Sequence, residues 1–304
     1  MTHPPDPQGQ TEAAPPVCYR HPGRPTYVSC VRCGRPACPD CLRPAAVGHQ
    51  CLDCIRTGNA GARQATGRFG GSVSSGARVT YSLIAINIVI YIIELAHQQL
   101  GFDWLMIGAG QTFRGGPLVG VAAGQWYRLI TSMFLPPPGS GLALLDIAFN
   151  MYVLFIVGPA IEKVLGGVRF LTVYLVSGVG GSILLYILVP FEPAAGASGA
   201  IFGLFGAWFV LSRRLQVDSR QVLVLIAINL GLAFFIPQIA WQAHVGGLIA
   251  GGLLTAAYVY APKANRAVLQ VTATVAMIAL FVVAVLVRNH LLIGTFGFYH
   301  GRLF

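Results

Sequence analysis

Seven stretches of this chain are apolar over close to the 17–25 residues that a helix needs to cross a bilayer, and this constrains the fold more than any other feature. They fall at about 79–97, 142–162, 168–189, 198–213, 220–237, 241–260 and 269–287. Hydrocarbon offers no hydrogen bond to an exposed peptide group, so such segments must satisfy their own backbone as helices. Composition agrees: 55% of the 304 residues are hydrophobic and 10% are charged, whereas a soluble domain carries about 25% charged residues. The expectation is an all-α polytopic protein integral to a lipid bilayer. The fourth stretch, "SGAIFGLFGAWFVLSRR", is short, and "FIPQIAW" barely separates the fifth from the sixth. Irregular backbone at bilayer depth is tolerated only where protein or a water-filled cavity shields it. The connection 98–141 contains "GQWYRLITSMFLPPPG", too aromatic for an ordinary loop, which predicts an interfacial structure.

Basic residues set the orientation. Arg63, Arg68 and Arg78 precede the first stretch; Lys163 and Arg169 lie between the second and third. Arg213, Arg214 and Arg220 lie between the fourth and fifth, and Lys263 and Arg266 between the sixth and seventh. The connections from third to fourth and from fifth to sixth contain no Lys or Arg. This alternation predicts a cytoplasmic N-terminus and an external C-terminus, and the plasma membrane is the expected location.

All seven cysteines lie before residue 55. Residues 1–16 are rich in Pro, Gln and Thr and are expected to be disordered. Residues 17–56 hold the cysteines, and 57–78 read as a flexible Gly/Ser/Ala linker. Within 17–56 four pairs share a two-residue spacing: Cys18/His21, Cys30/Cys33, Cys38/Cys41 and Cys51/Cys54. Each pair can place two ligands on one metal, and eight ligands make two closed tetrahedral sites, so two structural zinc ions are expected. Disulfides are the competing reading. A cytoplasmic location opposes them, and seven cysteines cannot pair evenly. Zinc binding would supply the folding energy that so small a segment lacks. The pattern resembles a B-box or similar cross-braced zinc finger, which would pair Cys18/His21 with Cys38/Cys41 and Cys30/Cys33 with Cys51/Cys54. His49 is an alternative ligand. With no open coordination position, the segment's expected role is to bind a cytoplasmic protein partner or to regulate, not to catalyse.

Ser198 opens the fourth stretch, where a serine can simply cap a helix or bond a neighbouring one. His244 lies in "AWQAHVGGLIAGG" of the sixth. An ionisable side chain inside a span is costly and marks a functional candidate, although a lone buried histidine can also be a packing residue. The alternation makes both stretches run from outside to inside, placing Ser198 and His244 at similar depth. Gly199 and Gly203 on one, and Ala243, Gly247 and Gly251 on the other, form small-residue rows that let backbones approach. A serine within reach of a neutral imidazole can lose its proton and attack as a nucleophile. Free amides at a helix N-terminus suit a developing oxyanion. Asn150, on the second stretch at a comparable depth, could donate to the same oxyanion.

These residues together resemble the rhomboid family of intramembrane serine proteases. The resemblance covers residues 79 to about 262. It rests on "GASGAIFGLFGA", "AHVGGLIAG", "FNMYVLFIVGPAIE" and "WYRLITSMF". It implies a bundle of six core transmembrane helices in a protease domain at 79–262, followed by a seventh helix and tail at 263–304. It further implies cleavage of transmembrane protein substrates by a Ser–His dyad without a catalytic cofactor. By the resemblance Ser198 is the nucleophile, His244 the general base and acid, and the Ser198 amide and Asn150 the oxyanion donors. Phe202 would pack on the His244 ring, and Trp126, Arg128 and Glu162 would be structural. The chain departs from the family at Asp146, four residues before Asn150, where a histidine is usual. An ionised aspartate there would repel an oxyanion, whereas a protonated one could donate to it.

Two other readings differ in kind. A catalytically weak or inactive relative that binds membrane clients usually loses the serine or histidine, and both are present here. A transporter predicts mid-span charges or internal repeats, which the sequence lacks. No nucleic-acid partner is expected.

Overall fold

The computed structural model describes residues 14–60, 67–71, 76–111, 118–137, 143–235 and 239–300. The chain divides into two compact units, Met1–Gln64 and Ala65–Phe304.

In the first unit, β1 (Val17–Cys18) pairs antiparallel with β2 (His21–Pro25), and β3 (Leu42–Pro44) with β4 (His49–Cys51), leading into α1 (Leu52–Ala60). Among its described residues the apolar core is one small cluster, Cys18, Ala37, Cys38, Cys41 and Leu42, with Cys30 and Cys51 also buried. So small a core cannot offset the entropy of ordering the segment, which calls for cross-links of another kind. Arg35 lies over the Tyr19 ring at 4.5 Å and reaches Asp53 at 3.6 Å.

The second unit is helical. It contains α2 (Arg78–Ala96), α3 (Gln98–Trp104), a short hairpin of β5 (Gly110–Gln111) and β6 (Leu118–Val119), and α4 (Arg128–Thr131). Then follow α5 (Ala143–Leu165), α6 (Gly167–Leu188), α7 (Ser198–Leu215), α8 (Arg220–Phe235), α9 (Trp241–Tyr260) and α10 (Arg266–His300). Every apolar stretch of the sequence forms a helix, and the fold is an all-α polytopic membrane bundle. Among the described residues five helices are long and apolar enough to cross a membrane: α2, α5, α6, α9 and α10. The 18-residue α7 carries Arg213 and Arg214 in its last turn, and α8 has 16 residues. The reason for the shortness of α7 lies in what surrounds it. Gly199 to Ala207 are all buried, so protein rather than lipid is its solvent, and length matched to the bilayer is not required.

α7 packs between α6 and α9 because glycines let the backbones touch. A Cβ at Gly247 would lie 1.9 Å from the Gly199 carbonyl oxygen, and one at Gly251 would lie 2.3 Å from that of Gly203. The two small-residue rows seen in the sequence therefore interlock. A Cβ at Gly203 of α7 would in addition fall 2.0 Å from the Ser177 side chain of α6.

Buried polar groups fix the periphery. The start of α2 has no side-chain cap of its own. Glu162 of α5, 1% exposed, accepts from the Val79 and Thr80 amides at 3.1 and 2.8 Å and from Thr80 Oγ1 at 2.7 Å. A carboxylate at a helix N-terminus satisfies both its orphan amides and its dipole. In the connection 98–141, whose residues 112–117 and 138–141 lie outside the described ones, buried Arg128 is the organiser. It donates to Phe102 O at 2.8 Å, Leu105 O at 2.9 Å and Gln125 Oε1 at 2.7 Å. Met106 and Ala194 exchange backbone hydrogen bonds of 2.8 and 2.9 Å, tying this connection to the approach of α7.

Of the segment read as a disordered N-terminus, residues 1–13 lie outside the described ones, and Pro16 O accepts from the Thr26 amide at 2.8 Å. Of the segment read as a linker, 57–60 continue α1, while 61–66 and 72–75 lie outside the described residues. Residues 67–71 are packed into the second unit. Phe69 is buried, its carbonyl accepts from Gln270 Nε2 at 3.2 Å, and the Arg68 carbonyl accepts from Arg266 Nη1 at 3.0 Å.

Candidate active site

The approach to α7 is set by Gly196, whose φ of +135° is strained for any residue with a side chain. Its amide donates to Ser132 O at 3.0 Å, and Ser198 follows as the first residue of α7. Ser198 faces a cavity of about 800 Å3. His244 from α9 and Asn150 and Asp146 from α5 line the same cavity. The three side chains singled out in the sequence, carried by three different helices, therefore meet one space. Among the described residues no hydrogen bond joins Ser198 to His244, a looseness common in catalytic pairs without substrate.

Packing fixes the histidine. Its ring stacks on Phe202, with centroids 4.1 Å apart and planes 10° apart, and Phe202 in turn meets Phe205 edge-on at 5.6 Å. His244 is buried, and its Nδ1 has no hydrogen-bond partner among the described residues. Phe202 lies one turn after Ser198, so the helix that carries the serine also supplies the surface that holds the imidazole.

On α5, Asn150 is 3% exposed and its Nδ2 donates to Asp146 Oδ2 at 3.0 Å. A Cβ at Gly196 would lie 3.6 Å from Ser198 Oγ and 3.8 Å from Asp146 Oδ2, so the carboxyl and the hydroxyl flank one point of the backbone. Trp126, Arg128 and Glu162 do not line the cavity. Sequence reasoning missed Ser132, Ser182, Asn229 and Gln242, which do. The signal for Asn229 and Gln242 was their rarity as amides within apolar stretches.

The first unit carries two side-chain clusters that could hold metal ions: Cys18, His21, Cys38 and Cys41, and Cys30, Cys33, Cys51 and Cys54. In each, the ligand atoms all lie within 4.8 Å of one another. His21 Nδ1 is 3.7, 3.4 and 3.4 Å from the sulfurs of Cys18, Cys38 and Cys41, and Cys33 and Cys51 sulfurs are 3.8 Å apart. Bonds of about 2.3 Å to sulfur and 2.0 Å to nitrogen give a tetrahedron with edges of about 3.5–3.8 Å, so both donor sets fit a closed thiolate-rich site. His49 belongs to neither cluster. Backbone hydrogen bonding from Cys51 pulls the Cys30 thiol down to about 6, ahead of burial, which acts the other way. Arg35 Nε donates to the Cys33 sulfur at 3.4 Å and favours its thiolate.

Residues 123–262 match the Rhomboid domain family. The chain is 36% identical over 210 residues to Rhomboid protease GluP of Bacillus subtilis (strain 168), covering 67% of this chain and 39% of that protein. It is 39% identical over 143 residues to YdcA of the same strain, covering 45% of this chain and 69% of that protein. With Rhomboid protease AarA of Providencia stuartii the identity is 24% over 269 residues, with 73% of this chain and 90% of that protein covered. This chain thus spans well under half the length of GluP. The chain belongs to the rhomboid family, which at the family level makes it an integral membrane protein of an intramembrane protease lineage.

Proposed function

We propose that this chain is an intramembrane serine endopeptidase that cleaves transmembrane protein substrates through a dyad of Ser198 and His244. The observation that carries the reading is the convergence of Ser198, His244 and Asn150 on one cavity at the N-terminus of α7. Ser198 Oγ attacks the scissile carbonyl carbon while its proton passes to the imidazole of His244. The carbonyl π electrons move to oxygen, and the oxyanion is held by the Ser198 amide and Asn150 Nδ2. Collapse of that intermediate expels the amine, which takes the proton from His244. Water, deprotonated by the same imidazole, then releases the acyl group. The stack on Phe202 keeps the ring in place through both proton transfers. No metal is required in this sequence of steps.

The lysine and arginine pattern supports a cytoplasmic N-terminus and an external C-terminus, and the plasma membrane is the proposed location. Residues 79–262 form the protease domain, and 263–304 the seventh helix and tail. Residues 17–56 form a B-box-like module holding two structural zinc ions, one on Cys18, His21, Cys38 and Cys41 and one on Cys30, Cys33, Cys51 and Cys54. The metal supplies cross-links to a segment with too small a core, and the module serves a cytoplasmic protein partner or regulation. Asp146 in the cavity supports a second reading, that of a catalytically weak member binding membrane clients, since a carboxylate near the nucleophile opposes an oxyanion.

Cleavage of a model transmembrane substrate by purified protein in lipid vesicles tests the choice. Cleavage by the wild type that Ser198→Ala and His244→Ala abolish is the expected result. Wild-type protein that captures substrates without cutting them would favour client binding.

A further inference from the structure

We infer that Asp146 is a positioning residue that orients the side chain of Asn150 toward the reacting oxygen. The inference rests on the proposed role of Asn150 as an oxyanion donor. A carboxamide has two nearly isosteric orientations, one presenting its N–H bonds and the other its carbonyl oxygen. Only the first can stabilise an oxyanion. Asp146 stands one turn before Asn150 on α5, and its Oδ2 accepts from Asn150 Nδ2 at 3.0 Å. Turning the amide over would set two acceptor oxygens against each other, so an acceptor at position 146 keeps the nitrogen on the Asp146 side. One N–H is spent on Asp146. The second has no acceptor among the described residues, and both side chains line the cavity that holds Ser198.

Two further observations tie the pair to the nucleophile. Asn150 is 3% exposed, so little solvent reaches its amide to compete with Asp146 for it. The Asp146 carboxyl and the Ser198 hydroxyl flank Gly196, at 3.8 and 3.6 Å from the position of a Cβ there. Among the described residues no lysine or arginine lines the cavity, and the Asn150 amide is the hydrogen-bond partner of Asp146 on this face. The residue that looks hostile to an oxyanion thereby serves the neighbour that stabilises it.

A double-mutant cycle on the full chain in lipid vesicles, read as kcat and KM for a model transmembrane substrate, tests this. Asp146→Leu removes the acceptor and is expected to lower kcat about tenfold with KM unchanged, the cost of a misaimed donor. Asp146→Asn keeps an acceptor oxygen and is expected to stay within about threefold of wild type. In an Asn150→Ala background Asp146→Leu is expected to cost nothing further, because no amide is left to orient. Asp146→Ala replaces Asp146→Leu if the latter fails to fold by thermal melting. The inference is overturned if removing the acceptor leaves kcat at the wild-type value, or costs the same factor with and without Asn150. Wild-type rates from Asn150→Ala alone would instead remove the oxyanion role, and this inference with it.

Discussion

Gly247→Ala places one methyl group where α7 and α9 touch. The new Cβ would sit 1.9 Å from the Gly199 carbonyl oxygen, whereas ordinary contact is about 3.5 Å. Both partners are helix backbone, so no side chain can swing away, and the helices must part locally by more than about 1 Å. Gly199 adjoins Ser198, and Gly247 stands three residues from His244, so the separation falls on the proposed dyad itself. Misplacing reacting groups by about 1 Å can cost about 100-fold in rate, and overpacking a core costs about 1–3 kcal/mol. The expected outcome is a folded protein with a lowered melting temperature and a cleavage rate about 100-fold below wild type. Gly231→Ala on α8 is the control, since a Cβ there meets nothing within 4 Å, and it should cleave and melt like the wild type. A Gly247→Ala protein that is folded and cleaves within about threefold of wild type would refute the argument that glycine packing sets the distance between serine and histidine.

Three other expectations follow from single contacts. Phe202→Ala removes the surface on which the His244 ring stacks, and should lower kcat about tenfold with little change in KM, measured in the same vesicle assay. Glu162→Ala leaves the Val79 amide, the Thr80 amide and the Thr80 hydroxyl without their acceptor, and should lower stability by about 3 kcal/mol in a denaturant titration. Glu162→Gln should lose less, because it keeps one acceptor oxygen. Chelation should strip two zinc ions per chain, measured by atomic emission, and should make residues 17–56 protease-sensitive. The thermal transition of the membrane unit should stay where it is.

Much of this arrangement is legible in the sequence because hydrocarbon and thiolate chemistry leave few alternatives. Apolar runs of bilayer length have to be helices, and each of the seven is one. The two-residue spacing of Cys18/His21 and its three counterparts suits two ligands of one metal, and the two four-residue clusters follow the cross-braced grouping. Ser198, His244 and Asn150 stand out because polar groups are rare in such helices. What was not legible depends on tertiary contact. Phe69 sits among glycines and serines in a stretch that reads as a linker, yet it is buried, with its carbonyl held by Gln270. The shortness of α7 is visible in the sequence, but its cause, enclosure by α6 and α9, is not. Asp146 reads as an isolated carboxyl, and only its hydrogen bond to Asn150 gives it a task.

The central claim is that the Ser198 hydroxyl is a nucleophile activated by His244. Peptide mass mapping after treatment with a serine-reactive fluorophosphonate, carried out on protein in lipid vesicles, tests it most directly. A single phosphonyl adduct on Ser198, lost when His244 is replaced by alanine while the protein stays folded, is the result the account predicts. No adduct on Ser198, or one that forms equally well without His244, would contradict it.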